Sequence, residues 1–439
     1  MGAGLLQISA QGESKRHFVS DDGASPWVTR WHRTTNFAVE NIKQEWTLDP
    51  DFGKRTSVVV GRLGDLLAGL TLEVNMTKKE NTFPKCLASY HPIEALVKEV
   101  SLSIGGVEVE KHTSDFFRVF DTFLREPCKS AIYRGMTNFD APTLNSESES
   151  TETLVLPLMF TFCRHLGNAL PLISMMDSEV RVWFEFATAQ EVGVHPTGFS
   201  ATVYADYVLL DSFERSWFMK NPHEYLVEQV QYNQLTLQDG VPSASSTTTV
   251  KVPIKFFRPV KVLYWFLKNT TPASATRTHH GRYVGDTANT FLAYQPNPFD
   301  MSQFGLVECI SERLAPLVSA TLSLNGQSVV TERGAHYFQK VQPYTHLPKQ
   351  AFPGLYSFSF AIRPGDLQPT GVCNFSTLDE ASLQLEIKRN TPDNIWSAEF
   401  AGGKCLTTGK NIDELREVHV MAVNYNIFKV EFGRAYLVM

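Results

Sequence analysis

No run of this 439-residue chain is apolar for long enough to span a bilayer. The best candidate, Leu154 to Phe162, is cut short by Arg164 and His165, well below the roughly 20 residues a spanning helix needs. No secretory signal opens the sequence, and Leu6 stands where a myristoylation motif built on Gly2 requires Ser or Thr. The expectation is a chain made and kept on the cytosolic side. Basic charge is also in short supply, with 40 Lys and Arg against 46 Asp and Glu, a net −6. No basic stripe interrupts that balance, so direct neutralisation of a nucleic acid is not expected. The six cysteines, Cys86, Cys128, Cys163, Cys309, Cys373 and Cys405, form no CxxC pair. They read as buried free thiols of a reducing compartment rather than as a disulfide framework or a metal knuckle.

Catalytic motifs are missing in the same way. His223-Glu224 begins like a zinc-protease HExxH, but Val227 occupies the second ligand position. These two residues read instead as polar pins at a hinge. The run from Gly403 to Lys410 puts five residues between its glycines, and Asn411 stands where a phosphate loop needs Ser or Thr for Mg²⁺. It reads as a turn. No GxSxG elbow occurs. His279-His280 would point opposite ways on an extended segment and make a poor metal pair. The carboxylate pairs Asp177/Glu179 and Asp211/Glu214 are expected to be solvated or paired with Arg181 and Arg215 rather than to form a glycosidase dyad. No catalytic residue, cofactor or metal ligand is expected. Three glycosylation sequons start at Asn75, Asn269 and Asn374. Without a secretory signal chance explains them, and Asn269, in an expected exposed loop, is the one position singled out for modification.

What the chain does have is alternation. Apolar residues make up 43% and aromatics 12%, with 30 Phe, a composition that suits half-buried pleated surfaces. Val180, Val182, Phe184 and Phe186 alternate with Arg181, Trp183 and Glu185, and Leu383, Leu385 and Ile387 with Gln384, Glu386 and Lys388. Period-2 runs of this kind recur from end to end, the signature of antiparallel sandwiches. In the first half they fall at about 36–48, 56–63, 68–77, 98–110, 152–162, 168–174, 178–187 and 201–212. In the second they fall at 248–257, 260–268, 318–331, 354–363, 370–376, 380–388 and 416–432, with one more expected inside 286–310. Helical spacing stands out once, at Phe116, Val119, Phe120, Phe123 and Leu124 behind the possible caps Thr113 and Ser114. Polar segments 139–153 and 269–304 read as long loops.

The halves echo each other. Ser101-Leu-Ser-Ile-Gly-Gly106 returns as Thr321-Leu-Ser-Leu-Asn-Gly326, and Ala205-Asp-Tyr-Val-Leu209 as Val423-Asn-Tyr-Asn-Ile427, both at an offset of about 220 residues. The expected fold is therefore all-β: two tandem eight-stranded jelly-roll β-sandwiches with a few short helices in the loops. Residues 1–26 form an N-terminal segment, 27–219 the first jelly roll and 220–439 the second, with the joint near Lys220 to His223, where Pro222 interrupts the pattern.

An ordered set of motifs carries a resemblance. It starts at Gly4-Leu-Leu-Gln-Ile8 and continues through Arg33-Thr-Thr-Asn-Phe-Ala-Val-Glu40, Arg62-Leu-Gly-Asp-Leu-Leu67 and Ala169-Leu-Pro-Leu-Ile173. Its densest part is Asp206-Tyr-Val-Leu-Leu-Asp211, Glu214-Arg215 and the stretch from His223 to Gln231. Leu324-Asn-Gly326, the stretch from Pro353 to Phe360, the stretch from Gly371 to Ser376, and Asn424-Tyr-Asn426 complete it. Over nearly its whole length the chain resembles the double jelly-roll major capsid proteins of nucleocytoplasmic large DNA viruses, the group of chloroviruses and iridoviruses. The resemblance implies a structural role as a homotrimer, a pseudo-hexagonal capsomer that contacts neighbouring capsomers in an icosahedral shell. It implies minor capsid proteins beneath the shell, reached by residues 1–26, and an internal membrane contacted only indirectly. Two other readings compete. A glycan-binding or glycan-processing tandem sandwich would show clustered calcium ligands or a carboxylate pair in a cleft. A penton would need one jelly roll rather than two.

Overall fold

The computed structural model describes residues 3–10, 12, 18–19, 23, 25–29, 31–77, 92–137, 151–192, 197–236, 247–269, 282–283, 317–348, 354–388 and 415–438. The strand expected within 286–310, His279-His280, the Gly403 to Lys410 run, residues 139–150 of the first polar loop, 270–281 and 284–304 of the second, and Cys86, Cys309 and Cys405 lie outside them. The chain divides into two compact units, Met1–Phe37 and Ala38–Met439. The first carries a short helix, α1 (Ala3–Ser9), with no buried residue.

Among the described residues the second unit is built from four sheets. Strands β1 (Phe37–Gln44), β8 (Ser200–Leu210), β3 (Leu66–Thr77) and β6 (Thr151–Pro157) form the first, in that order. Opposite it lie β2 (Arg55–Val59), β7 (Val180–Phe186), β4 (Val97–Ile104) and β5 (Val107–Thr113). The ladders β2–β7, β7–β4, β4–β5, β8–β3 and β3–β6 are antiparallel. The reason for the pairing is visible in β7, where Val180, Val182, Phe184 and Phe186 are buried and the residues between them are half-exposed. Those four side chains meet Leu72, Val74 and Met76 of β3 in one core. A one-residue slip would turn the whole apolar set outward, so the register is fixed by burial.

The second pair of sheets repeats the plan. Strands β10 (Thr247–Pro253), β17 (Ala381–Lys388), β13 (Leu317–Leu324) and β14 (Gln327–Gly334) stand in the order of β2, β7, β4 and β5. In the other sheet β9 (His223–Thr236), β18 (Leu415–Glu431), β11 (Pro259–Asn269) and β15 (Leu355–Ser359) stand in the order of β1, β8, β3 and β6. The short strands β12 (Arg282–Tyr283), β16 (Cys373–Asn374) and β19 (Arg434–Leu437) are additions to this sheet. Eight strands thus correspond one to one and in chain order. The two sequence echoes fall on corresponding strands, β4 with β13 and β8 with β18. Their hairpins turn alike: Gly105 and Gly106 (φ +59° and +83°) and Asn325 and Gly326 (φ +48° and +76°) take left-handed backbone. That is the two-residue turn whose twist matches its strands.

Several expectations need correction. Residues 98–110 and 318–331 are each two strands joined by these hairpins. Segment 168–174 makes one isolated bridge, Leu67 to Leu170, because Pro171 lacks the N–H a ladder needs. The long strand β9 covers the motif from His223 to Gln231 that starts at the expected joint, and β19 lies where no strand is expected. The expected helix is present as α3 (Ser114–Phe123), but Thr113 makes no side-chain cap. Helices α2 (Pro92–Leu96), α4 (Pro127–Thr137), α5 (Thr161–Arg164), α6 (Ala189–Val192) and α7 (Ser212–Lys220) are further ones. Asp211 and Glu214 belong to the start of α7 and not to a strand; the Asp211 side chain accepts from the N–H of Ser212.

Candidate functional site: the junction and the exposed apolar surface

The two sandwiches meet through α3 and β9. Val119 and Phe123 of α3 pack with Val262, Tyr264 and Phe266 of β11 and with Met421 and Val423 of β18. The rings of Phe123 and Tyr264 stack at 4.9 Å. The first half of β9 and the end of β18 lean the other way, so Val227, Phe428 and Val430 belong to the first core. Polar contacts follow the same seam. The N–H of Thr113 donates to the Tyr232 hydroxyl (3.2 Å), Asn168 Nδ2 donates to the Leu226 carbonyl (3.0 Å), and Gln229 donates to the carbonyl of Val109.

Charge is buried at the centre of the seam. Glu228 of β9 accepts from Arg164 Nη1 of α5 at 2.7 Å and from the Lys261 ammonium of β11, with all three side chains largely shielded. Burial pushes the Glu228 carboxyl up, but Arg164 and Lys261 outweigh it and hold it below its ordinary range. Thr161 bridges the halves: its hydroxyl accepts from the Glu228 N–H (3.0 Å), and its own N–H donates to both oxygens of Glu110 on β5 (3.1 and 3.0 Å). Burial raises Glu110 to about 7. Next to it His112 is fully enclosed, stacked on Phe116 (4.5 Å) and Phe160 (5.2 Å). Burial, with Arg164 adding to it, drives His112 well below its usual range. A second buried set joins α2, α3 and α4, where Glu94 takes Arg118 at 3.3 Å and the Tyr133 hydroxyl at 2.7 Å. A buried ion pair adds little net stability, but removing one partner strands the other and costs about 3–5 kcal/mol.

The residues singled out in the sequence scatter. His223 Nε2 meets the Phe218 carbonyl at 2.7 Å, and Glu224 pairs with Lys429 on an exposed edge. Glu179 pairs with Arg181 at 2.8 Å, whereas Arg215 reaches Asp65 (3.2 Å) rather than Asp211 or Glu214. Asn75 is tied to Ser200 and Thr153 within its ladder. Asn374 folds back on the Ser376 N–H. Asn269 ends β11, its backbone paired with Arg282 and Leu415 rather than lying in an open loop. Cys163 and Cys373 are half-buried free thiols, but Cys128 is exposed, because it lies in the first turn of α4 on the outer surface. Among the described residues no group of three His, Cys, Asp or Glu stands close enough to hold a metal ion.

The surface carries more exposed apolar bulk than solvation alone explains. Helix α7 buries no residue, and Phe213 (81% exposed), Trp217 and Met219 stand out from it. Ser174 Oγ donates to the Phe218 carbonyl of α7 and the Asp177 N–H to the Gly433 carbonyl, and the nearby chain carries exposed Met176 and Phe432 (95% exposed). Large exposed apolar patches mark contact surfaces. A second set comprises Val341, Tyr344 and Ile362, held together where His346 Nδ1 meets the Ile362 carbonyl at 3.0 Å.

Twin sandwiches of matching strand order define a double jelly roll. The comparisons name the family. Residues 214–435 match the large eukaryotic DNA virus major capsid protein family, and residues 25–257 match the major capsid protein N-terminus family. The chain belongs to the major capsid proteins of large eukaryotic DNA viruses. It is 33% identical over 446 residues to the major capsid protein of Paramecium bursaria Chlorella virus 1, covering 99% of this chain and 98% of that one. It is 29% identical to the major capsid protein of Pyramimonas orientalis virus, at the same coverage. In the quasi-atomic model of the PBCV-1 virus capsid a chain superposes with a TM-score of 0.77 at 29% identity, covering 94% of this chain and all of that one. The Faustovirus major capsid protein shares the fold alone, with a TM-score of 0.63 at 9% identity over 93% of each chain.

Proposed function

We propose that three copies of this chain form a homotrimeric capsomer that tiles the facets of an icosahedral shell, assembled in the host cytoplasm. The one-to-one strand correspondence between the sandwiches carries this reading. Three copies present six similar sandwiches around one axis, a pseudo-hexagonal outline whose repeated contact closes on itself. The sandwiches count as two domains, 27–219 and 220–439, by that correspondence. The exposed apolar sets on α7 and at Val341, Tyr344 and Ile362 supply bulk for contacts between copies and with neighbouring capsomers. Residues 1–26 include Leu5, Leu6 and Ile8, all more than half exposed, and these fit a tether to minor capsid proteins beneath the shell. The internal membrane is met only through them, and the role needs neither nucleic-acid contact nor a catalytic step. Asn269 remains the position proposed for a glycan, to be read as added mass on its peptide.

Light scattering on the purified chain tests the reading. The expected result is a particle near three times 49.3 kDa that survives dilution. A folded monomer at micromolar concentration would overturn it.

A further inference from the structure

We infer that Glu110 and His112 form a proton-compensated pair: the folded chain holds on the Glu110 carboxyl the proton that the unfolded chain holds on the His112 imidazole. The seam between the sandwiches thereby keeps its strength across mildly acidic pH.

The geometry sets this up. The two side chains sit on one face of β5, are 3% and 0% exposed, and bring Glu110 Oε2 within 3.7 Å of His112 Nε2. That separation is too long for a hydrogen bond. Neither ring nitrogen of His112 has another partner, and two phenylalanine faces enclose the ring. An imidazolium there would be a buried cation without a hydrogen bond. The groups facing the pair are Thr161, Cys163 and Arg164 from α5 and Glu228 from β9, with Lys261 of β11 behind Glu228. Asn168 and Tyr225 complete the lining beside Glu110. Arg164 is engaged by Glu228. Burial raises the Glu110 carboxyl and outweighs the Arg164 charge and the Thr161 hydrogen bonds, which pull it down. That carboxyl keeps a proton up to about pH 7.

The sign follows from counting protons. In the unfolded chain Glu110 titrates near 4.5 and His112 near 6.5. Between those values the unfolded pair carries one proton, on the imidazole, and the folded pair carries one, on the carboxyl. Equal proton counts give no slope of stability against pH. Breaking either half exposes the other. Glu110→Gln leaves a histidine that must shed its proton to fold, so this variant gains on wild type as pH rises from 4.5 to 7. His112→Phe leaves a carboxyl that must take up a proton to fold, so this variant loses against wild type as pH rises to 6.5. Each slope is tenfold in the folding equilibrium constant per pH unit.

The test is chemical unfolding of full-length wild type, Glu110→Gln and His112→Phe at fixed concentration from pH 4.5 to 7.5. Opposite slopes of the two differences from wild type are expected. Differences that stay constant with pH would reduce both residues to packing and overturn the inference. Infrared spectroscopy of the folded wild type covers the case of a variant that does not fold. A protonated-carboxyl band at pH 6 that loses the intensity of one carboxyl above about pH 7 is expected, the buried Glu94 carboxyl, also raised by burial, adding to it; absence of the band at pH 6 would also overturn the inference.

Discussion

The two sandwiches share a strand order but not a degree of independence. The core of the second is filled by its own strands, from Val252 to Ala422. The first borrows: Val227 from β9 and Phe428 and Val430 from β18 are buried in it, and Tyr225, Ala435 and Leu437 pack against it. Strand β18 runs for 17 residues because it serves both cores in turn, with Val418, Val420 and Ala422 in the second and Phe428 and Val430 in the first. Duplication explains the common plan. The asymmetry shows how two copies of a domain become one rigid block: the last strand of the second copy closes the first.

The largest expected effect falls on what the two share. Glu228→Ala strands Arg164 and Lys261 in the seam and should cost about 3–5 kcal/mol in chemical denaturation. A loss below about 1 kcal/mol would mean water reaches the cluster. The asymmetry itself is tested by two positions on one strand. Phe428→Ala should cost about 3–5 kcal/mol and speed hydrogen exchange in β4 and β7 of the first sandwich. Val420→Ala, eight positions earlier, should cost about 2 kcal/mol and speed exchange in β13 and β17 only. Identical exchange patterns would erase the distinction. The common plan predicts matching effects at the hairpins. Gly106 and Gly326 have positive φ and open space for a Cβ, so alanine at either should cost about 1 kcal/mol from backbone strain alone. Smallest of all, Arg181→Ala loses a half-exposed pair with Glu179 and a contact with the Trp183 ring and should change stability by about 1 kcal/mol or less.

How much of this was legible depended on whether a strand faces one core. β7 and β17 each bury one side, so period-2 alternation located them. β9 does not: its burial wavers along its length, and its polar residues are used on both sides, Gln229 across the seam on Val109 and Gln231 within the second sandwich on Phe257. A strand with two cores and a polar joint has no clean period, so its sequence was noticed as a motif and not as a strand. The seam was illegible for the same reason. Glu110, Arg164, Glu228 and Lys261 come from four elements and share no spacing. The one hint was apolar context, Val109 before Glu110 and Val260 and Val262 around Lys261. The repeat was legible because hairpin glycines and alternating strands survive duplication. Asn269 reads as loop because the apolar run of β11 ends at Leu267, whereas the ladder continues past a register shift after Lys268 to pair Asn269 with Leu415.

Imaging the purified assembly by electron microscopy tests the central claim most directly. The account predicts a three-fold particle with six similar lobes, two per chain, in a pseudo-hexagonal outline. Particles with two lobes and no three-fold axis, under conditions where the chain is folded, would contradict it.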